Sequence, residues 1–307
     1  MIKVYKEIKQ KSNDFYKRYN CKTFIIMIKY YKIYIWRINV LTKYKKDKNT
    51  KNKDDFDYSL LVDTTILLGE IMLKNGAETN RVENAMDKLL RTTKMKHIEA
   101  VVMTTSIIVT LSDPSIEHIT AVSRIHDRNT NLNRVQLAHS LTEDYCNGKI
   151  DLETLFHELK SIKNINQYNF VLKNMALALV PPGFTIMLGG TVIDSLSALI
   201  CGCILAFLNI MFKFVKINNF TKNIFEMMCV SFVAVFLNTI ISTDIQSVII
   251  GFIMPYVPGI AITNAARDTF NADYMSGAAR LLDALVQAFS VALGVYIGLF
   301  LGKIFFV

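Results

Sequence analysis

Charge stands in this sequence where charge is costly. An apolar run ends at Pro258-Gly259 and is followed by Asn264, Arg267 and Asp268; Ala272-Asp273 and Ser276-Gly277 then lead into another apolar run, with Arg280 and Asp283 on its first turn. Each of these residue types has a use in moving a polar solute. The guanidinium of Arg267 or Arg280 can bind both oxygens of a carboxylate, and Asp268 can neutralise an amino group or carry a coupling proton. Asn264 and Asp268 lie one turn apart, as do Arg280 and Ala284, with Asp283 and Gln287 extending that polar side. Pro255, Pro258 and Gly259 break the helical pattern, and each proline removes a backbone donor and frees a carbonyl one turn earlier. Backbone that leaves the helix at membrane depth persists only where protein or a cavity surrounds it, so the break itself points to a transport path. The competing reading makes Arg267 and Arg280 anchors of helix ends at the membrane surface. Asp268 resists that reading, because a carboxylate beside a membrane contributes little to orientation.

The elements that must hold these residues are membrane helices. Apolar runs near 170–190, 195–212, 223–242, 246–264 and 281–302 each approach the ~20 residues needed to cross a ~30 Å hydrocarbon core. The fold class expected is an α-helical integral membrane protein with about five transmembrane helices over residues 166–307, preceded by a small cytoplasmic α+β domain. The first span is the weakest, because Lys173 stands at its start and Pro181-Pro182-Gly183 interrupts it. A helix break, or a re-entrant segment, is expected there. The first and fourth spans, both broken, would flank the path. Gly294, Gly298 and Gly302 recur every fourth residue along the last span, a row without side chains that lets another helix approach closely, within this chain or in a second copy.

Charge also orients the bundle. The connection from Lys213 to Lys222 holds three lysines, and the one after the fourth run holds Arg267 and Arg280, whereas those near Asp194 and Asp244 hold no Lys or Arg. By the positive-inside rule the basic connections face the cytoplasm, and the domain before the first span lies there too. The absence of a recognisable secretory signal agrees with that side.

Residues 56–165 read as the α+β domain. Leu60, Leu61, Thr64, Leu67, Leu68, Ile71 and Met72 fall at helical steps until Lys74-Asn75-Gly76 stops them. A second helix follows through Gly76-Ala77-Glu78-Thr79-Asn80-Arg81-Val82-Glu83 to about Thr93, with Glu78 and Arg81 on one face and able to pair. Val101 to Leu111 is apolar and β-branched, and Asp113-Pro114 turns it into 117–125, so two strands in a hairpin are expected. Asn131 and Asp151 can cap helices reaching about Cys146 and Ile162.

Composition narrows the function classes. The 307 residues carry a net charge of +9, but residues 1–53 alone hold 16 Lys and Arg against 3 Asp and Glu, leaving the rest net negative by 4. The basic character belongs to an extension over 1–55, a disordered or membrane-surface segment or a start assigned too early, and nucleic acid is not an expected partner. The five cysteines and five histidines are scattered, so no metal site is expected. Neither a hydrolase, a P-loop nor a dinucleotide motif is present, and the chain does not read as an enzyme.

Two blocks resemble the threonine/serine exporter family, including its split bacterial members linked to succinate export. Gly76-Ala77-Glu78-Thr79-Asn80-Arg81-Val82-Glu83 is similar to that family's Gly-Ala-Glu-Thr-x-Arg-Val-Glu signature. Pro258-Gly259 through Asn264, Arg267-Asp268, Asp273, Ser276-Gly277 and Arg280 is similar to its membrane signature. The resemblance covers roughly 58–303. The sequence departs from it at Ala272, where the family has Gly, and at Asp283, where it has Glu. The resemblance implies a multi-pass protein of the bacterial cytoplasmic membrane exporting threonine or serine, or alternatively a dicarboxylate such as succinate. Full-length members carry two membrane halves, so it also implies a second small membrane subunit as partner, or failing that a homo-oligomer through the glycine row. No cofactor is implied beyond a coupling proton. Two other classes compete: a membrane hydrolase, for which no nucleophile and base stand in a motif, and a membrane-anchored sensory or scaffold protein, for which interrupted spans serve no purpose.

Overall fold

The computed structural model describes residues 56–306 except 94, 114–115, 127, 164, 166–167 and 216. The basic extension lies outside the described residues. Helix α1 (Tyr58–Lys74) opens the chain, with Asp57 as its cap accepting from Leu60 N at 2.8 Å. It ends at Gly76, whose φ of +90° is the left-handed turn that glycine adopts without strain. Helix α2 (Thr79–Leu90) follows, then a sheet of β1 (His97–Met103), β2 (Ser106–Asp113) and β3 (Ile116–Arg124), and helices α3 (Leu132–Cys146) and α4 (Leu152–Ile162). Asn131 and Asp151 cap α3 and α4 as expected.

The sheet corrects the expected two-strand hairpin. Strands β1, β2 and β3 run antiparallel in that order, and the single apolar run from Val101 to Leu111 folds back on itself with Met103 opposite Ser106. The turn residues Thr104 and Thr105 need no positive φ, so no Asn or Gly marks the reversal. Leu68, Met72, Met86, Leu89, Ile107, Val109, Leu141 and Leu155 form the core between sheet and helices, each at most 1% exposed.

A second core, around Cys201, Leu205, Met227, Val230, Phe252 and Val291, belongs to the membrane helices. These are α5 (Phe170–Met187), α6 (Val192–Phe212), α7 (Asn219–Ile241), α8 (Ile245–Ile253), α9 (Gly259–Phe270) and α10 (Tyr274–Phe306). Four of them are long and apolar enough to cross a membrane, and a fifth is reached if α8 and α9, bent by 57° at their break, are one span. The bend is where it was expected: Pro255 sits in a single 3₁₀ turn, Met254–Tyr256, and Pro258 precedes α9.

The expected break at Pro181-Pro182-Gly183 is not there. Helix α5 runs through both prolines. The prolines' own carbonyls carry side-chain bonds: Thr185 Oγ1 donates to Pro181 O at 3.0 Å and Ser195 Oγ to Pro182 O at 3.2 Å. Glycines seal the packing, since a Cβ on Gly202 or Gly251 would strike the α5 backbone at Ala178 or Pro181. The proline pair thus lies inside one continuous helix packed against α6 and α8, an exception of the kind tolerated in membrane helices.

The glycine row packs within the chain. An added Cβ at Gly294, Gly298 or Gly302 would collide with Ile224 and Met227, with Met228 and Ser231, or with Val235, all on α7. A homodimer through that row would have to displace α7, so the row is not a surface for a second copy.

Candidate functional site

The two signature blocks, some 190 residues apart in sequence, meet. Helix α1 ends and α2 begins around Gly76-Ala77-Glu78, and this turn seats on α9 and the start of α10. Asp268, 1% exposed on α9, presents its carboxylate to the first turn of α2. Its Oδ1 accepts from Thr79 N at 3.2 Å and its Oδ2 from Thr79 Oγ1 at 3.1 Å. A carboxylate at this place satisfies a backbone donor left over by the helix start and meets the positive end of its dipole.

Arg280 closes the arrangement. Its Nε lies 2.7 Å from Asp268 Oδ2, with the side chains 8% and 0% exposed. The contact is an ion pair without hydrogen-bond alignment, and the aligned bond runs instead from Nη2 to Ala77 O at 2.8 Å. Asn264, one turn before Asp268, donates from Nδ2 to Gly76 O at 3.0 Å. Three membrane-side residues therefore hold the backbone of one tight turn, each through a different group.

The rim of the contact is wetter. Arg267 pairs with Glu78, with side chains 58% and 24% exposed. This corrects the expected Glu78–Arg81 pair: α2 begins at Thr79, so Glu78 caps it and turns toward α9. Asp283, 54% exposed, pairs with Arg128 at 2.6 Å, another bond between the two cores, and the shorter carboxylate still reaches. Glu83, one turn after Thr79, accepts from Val102 N at 3.0 Å. Burial pushes its carboxyl pKa up, and the charges of Asp273 and Asp268 push it further. Beside Glu78 a cleft of about 400 Å³ opens between α2 and α3, lined by Arg81, Lys88, His139 and Glu143 among others.

The turn between α9 and α10 explains the rest of the second block. Asp273 Oδ1 accepts from Ser276 N at 3.1 Å, which starts α10. Gly277 lets α10 lie against α9, because a Cβ there would meet Ala265 O and Thr269. Ala272 has φ +64°, a conformation that glycine takes freely and alanine only under strain.

Of the residues singled out from sequence, Gly76, Glu78, Asn264, Arg267, Asp268, Arg280 and Asp283 come together at this junction, with Glu83 beneath it. Pro255, Pro258 and Gly259 form the bend above it, whereas Pro181, Pro182 and Gly183 lie on α5 and Gly294, Gly298 and Gly302 on α10 against α7. Sequence reasoning missed Thr79 and Arg128, which carry bonds between the cores. Thr79 sat inside a quoted block, and its spacing from Glu83 was the available signal. It also missed Glu226, fully buried on α7. A lone carboxylate inside an apolar run was the mark that could have found it.

An α+β domain bonded through buried charge to one end of a helical bundle with a bend defines a helical membrane protein whose two parts are in direct contact. The family follows from comparison. Residues 63–302 match the family model described as "Putative threonine/serine exporter", and the chain belongs to that family. It is also similar to a protein of Mycobacterium tuberculosis described as "Probable threonine/serine exporter", 21% identical over 257 residues, which cover 83% of this chain and 49% of that one. The chain thus spans about half the length of the curated relative it matches. No solved structure matches it.

Proposed function

We propose that this chain is one half of a secondary transporter that exports threonine and serine across the cytoplasmic membrane, with a second membrane subunit supplying the other half. The observation that carries the reading is the junction: the foot of the bent span is bonded to the α+β domain by side chains of both family signatures. The half-length match to the relative supports the second subunit. On this reading the α+β domain faces the cytoplasm, and the structure is a state closed on that side.

Arg280 and Asp268 are engaged with each other and with α2, so they hold the closed state. Arg267 and Glu78 are the exchangeable pair, the first more than half exposed and the second about a quarter exposed at the rim. A zwitterion can replace such a pair on both sides at once, its carboxylate on Arg267 and its ammonium on Glu78. A dicarboxylate would bring a second negative charge against Glu78, which favours amino acids over succinate.

Efflux from cells loaded with labelled threonine, serine or succinate tests the proposal, comparing this chain alone, with a candidate partner, and as Asp268→Asn with that partner. Threonine or serine efflux that requires both chains and disappears in the variant, at unchanged expression, is the expected result. Efflux of succinate alone would overturn the substrate assignment. No efflux of any of the three, with both chains in the membrane, would overturn the exporter reading for this chain.

A further inference from the structure

Apart from the junction and Asp194, a buried carboxylate matched by Thr191 and the backbone of Asp244, the membrane half holds a buried cluster of ionisable groups on α7. Glu226 on α7 is 0% exposed. Its Oε2 accepts from the Tyr256 hydroxyl at 2.8 Å, and Tyr256 belongs to the 3₁₀ turn at the bend of the fourth span. Its Oε1 has no hydrogen-bond partner. Lys222, one turn earlier on α7 and 25% exposed, stands 3.6 Å from that oxygen, beyond hydrogen-bonding distance. Lys222 is instead bonded to Asn209 on α6 at 2.5 Å, and Asn209 to Asn174 on α5 at 2.9 Å. On the other side Gln287 of α10 donates to Tyr256 O at 2.9 Å, and Asn223 of α7 to Ser290 Oγ at 3.3 Å. Among the described residues the titratable or charged groups facing Glu226 are Lys222 and Tyr256; α5, α6 and α10 present only amides and a hydroxyl to this cluster.

A buried carboxylate with one oxygen lacking any hydrogen bond and only a partly exposed lysine 3.6 Å away is a costly arrangement for a purely structural role. Asp268 offers the contrast, since its oxygens are matched by a backbone amide, a hydroxyl and a guanidinium. The unbonded Oε1 can take a proton without displacing any hydrogen bond, while Lys222, partly exposed beside the lysine-rich connection, marks the cytoplasmic side, on which an inward-moving proton is released.

We propose that Glu226 is the proton-binding group that couples export to the proton gradient, an inference that rests on the exporter reading. In the ionised form the carboxylate holds the Tyr256 hydroxyl by a charge-assisted bond, fixing the bend against α7. A proton on Oε1 makes that bond an ordinary neutral one, roughly half as strong. The bend, left with the Gln287 bond on its carbonyl, is then freer to change its angle. Occupancy of one oxygen thus sets how tightly the bent span is held.

Two measurements test this independently of each other. Infrared spectra of the purified full chain in detergent, recorded across pH, should show a buried carboxylic-acid band that titrates, is missing in Glu226→Gln and persists in Asp268→Asn. A wild-type spectrum without such a band, or one that Glu226→Gln leaves unchanged, overturns the proposal whatever the chain transports. Membrane vesicles from the source cells, which supply any native partner, then report coupling with labelled threonine. A gradient of about one pH unit coupled to one proton supports roughly tenfold accumulation. Glu226→Gln should abolish that accumulation while keeping exchange of labelled for unlabelled threonine, and Glu226→Asp should restore part of it. Accumulation that survives in Glu226→Gln overturns the coupling role. Wild-type vesicles that carry no threonine count against the exporter reading, and the infrared band alone then decides whether Glu226 binds a proton.

Discussion

Asp268 and Glu226 are equally hidden, at 1% and 0% exposure, and their surroundings are opposite. Asp268 lies where two cores meet and has a donor on each oxygen, with Arg280 as counter-ion. Glu226 lies within one core, tied at one oxygen and open at the other. Burial alone therefore does not say what a carboxylate is for. A fully matched one is a fastener whose value lies in staying ionised; a half-matched one keeps a place for a proton. The contrast also assigns the coupling proton, which Asp268 was expected to be able to carry, to a residue outside both signature blocks.

The largest effect should come from breaking the matched site. Asp268→Ala leaves the Arg280 guanidinium buried without its counter-ion, a loss of about 3–5 kcal/mol by the usual cost of orphaning one member of a buried pair. Thermal unfolding in detergent should show it as an early transition, and limited proteolysis should cut sooner in the 56–165 region. Combining Asp268→Leu with Arg280→Met removes both charges, and most of the lost stability should return. Glu226→Gln should cost far less, because an amide can still accept from Tyr256 and the lysine that loses its counter-ion, Lys222, is partly exposed and still bonded to Asn209. If the two single variants destabilise equally, the distinction between fastener and proton site is wrong.

This difference also marks what could be read from sequence. Membrane helices, their number and the bend at Pro255 to Gly259 were legible because apolar length and missing backbone donors are local properties. The caps at Asn131 and Asp151 were legible for the same reason. The continuity of α5 through Pro181 and Pro182 was not, since it goes with the close packing of α6 and α8, whose Gly202 and Gly251 arrive from elsewhere in the sequence. The reversal at Thr104 and Thr105 carried no turn chemistry and so left no trace. At the site, both blocks were visible as unusual charge, but their contact was not, because no spacing rule links Thr79 to Asp268 across 189 residues. Glu78 was paired with Arg81 on helical spacing and is in fact bonded to Arg267, because the helix starts one residue later than that pairing assumes.

A smaller effect, in the opposite direction, sharpens the picture of the fastener. Ala272 holds φ +64° between Asp268 and the start of α10, a strain of about 1–2 kcal/mol for a residue with a Cβ. Ala272→Gly should relieve it and raise stability by about 1 kcal/mol after allowing for the greater freedom of glycine in the unfolded chain. Thermal unfolding in detergent should therefore show a later transition. A neutral or destabilising result would mean that the alanine methyl contributes packing that outweighs its strain.

The smallest effect tests whether the fastener's charge is felt beyond its own partners. Glu83 lies one turn along α2 from Thr79, and its pKa is raised above the ordinary 4.5 by burial first, then by the charges of Asp273 and Asp268. A carboxyl whose folded pKa is raised binds its proton more tightly in the folded chain. Its contribution to stability is thus fully present below the unfolded value and lost as pH rises through the folded one, leaving a net cost at neutral pH. Glu83→Gln keeps an oxygen for Val102 N and removes the charge, so it should raise stability at neutral pH by less than about 1 kcal/mol, given the solvent reaching this position. The gain should vanish as pH falls below about 4.5, where wild-type Glu83 is already protonated. In an Asp268→Asn background the gain should shrink, because one of the two repelling charges has gone. An undiminished gain there would confine the influence of Asp268 to Thr79 and Arg280, and Glu83 would then answer to its burial and to Asp273 alone.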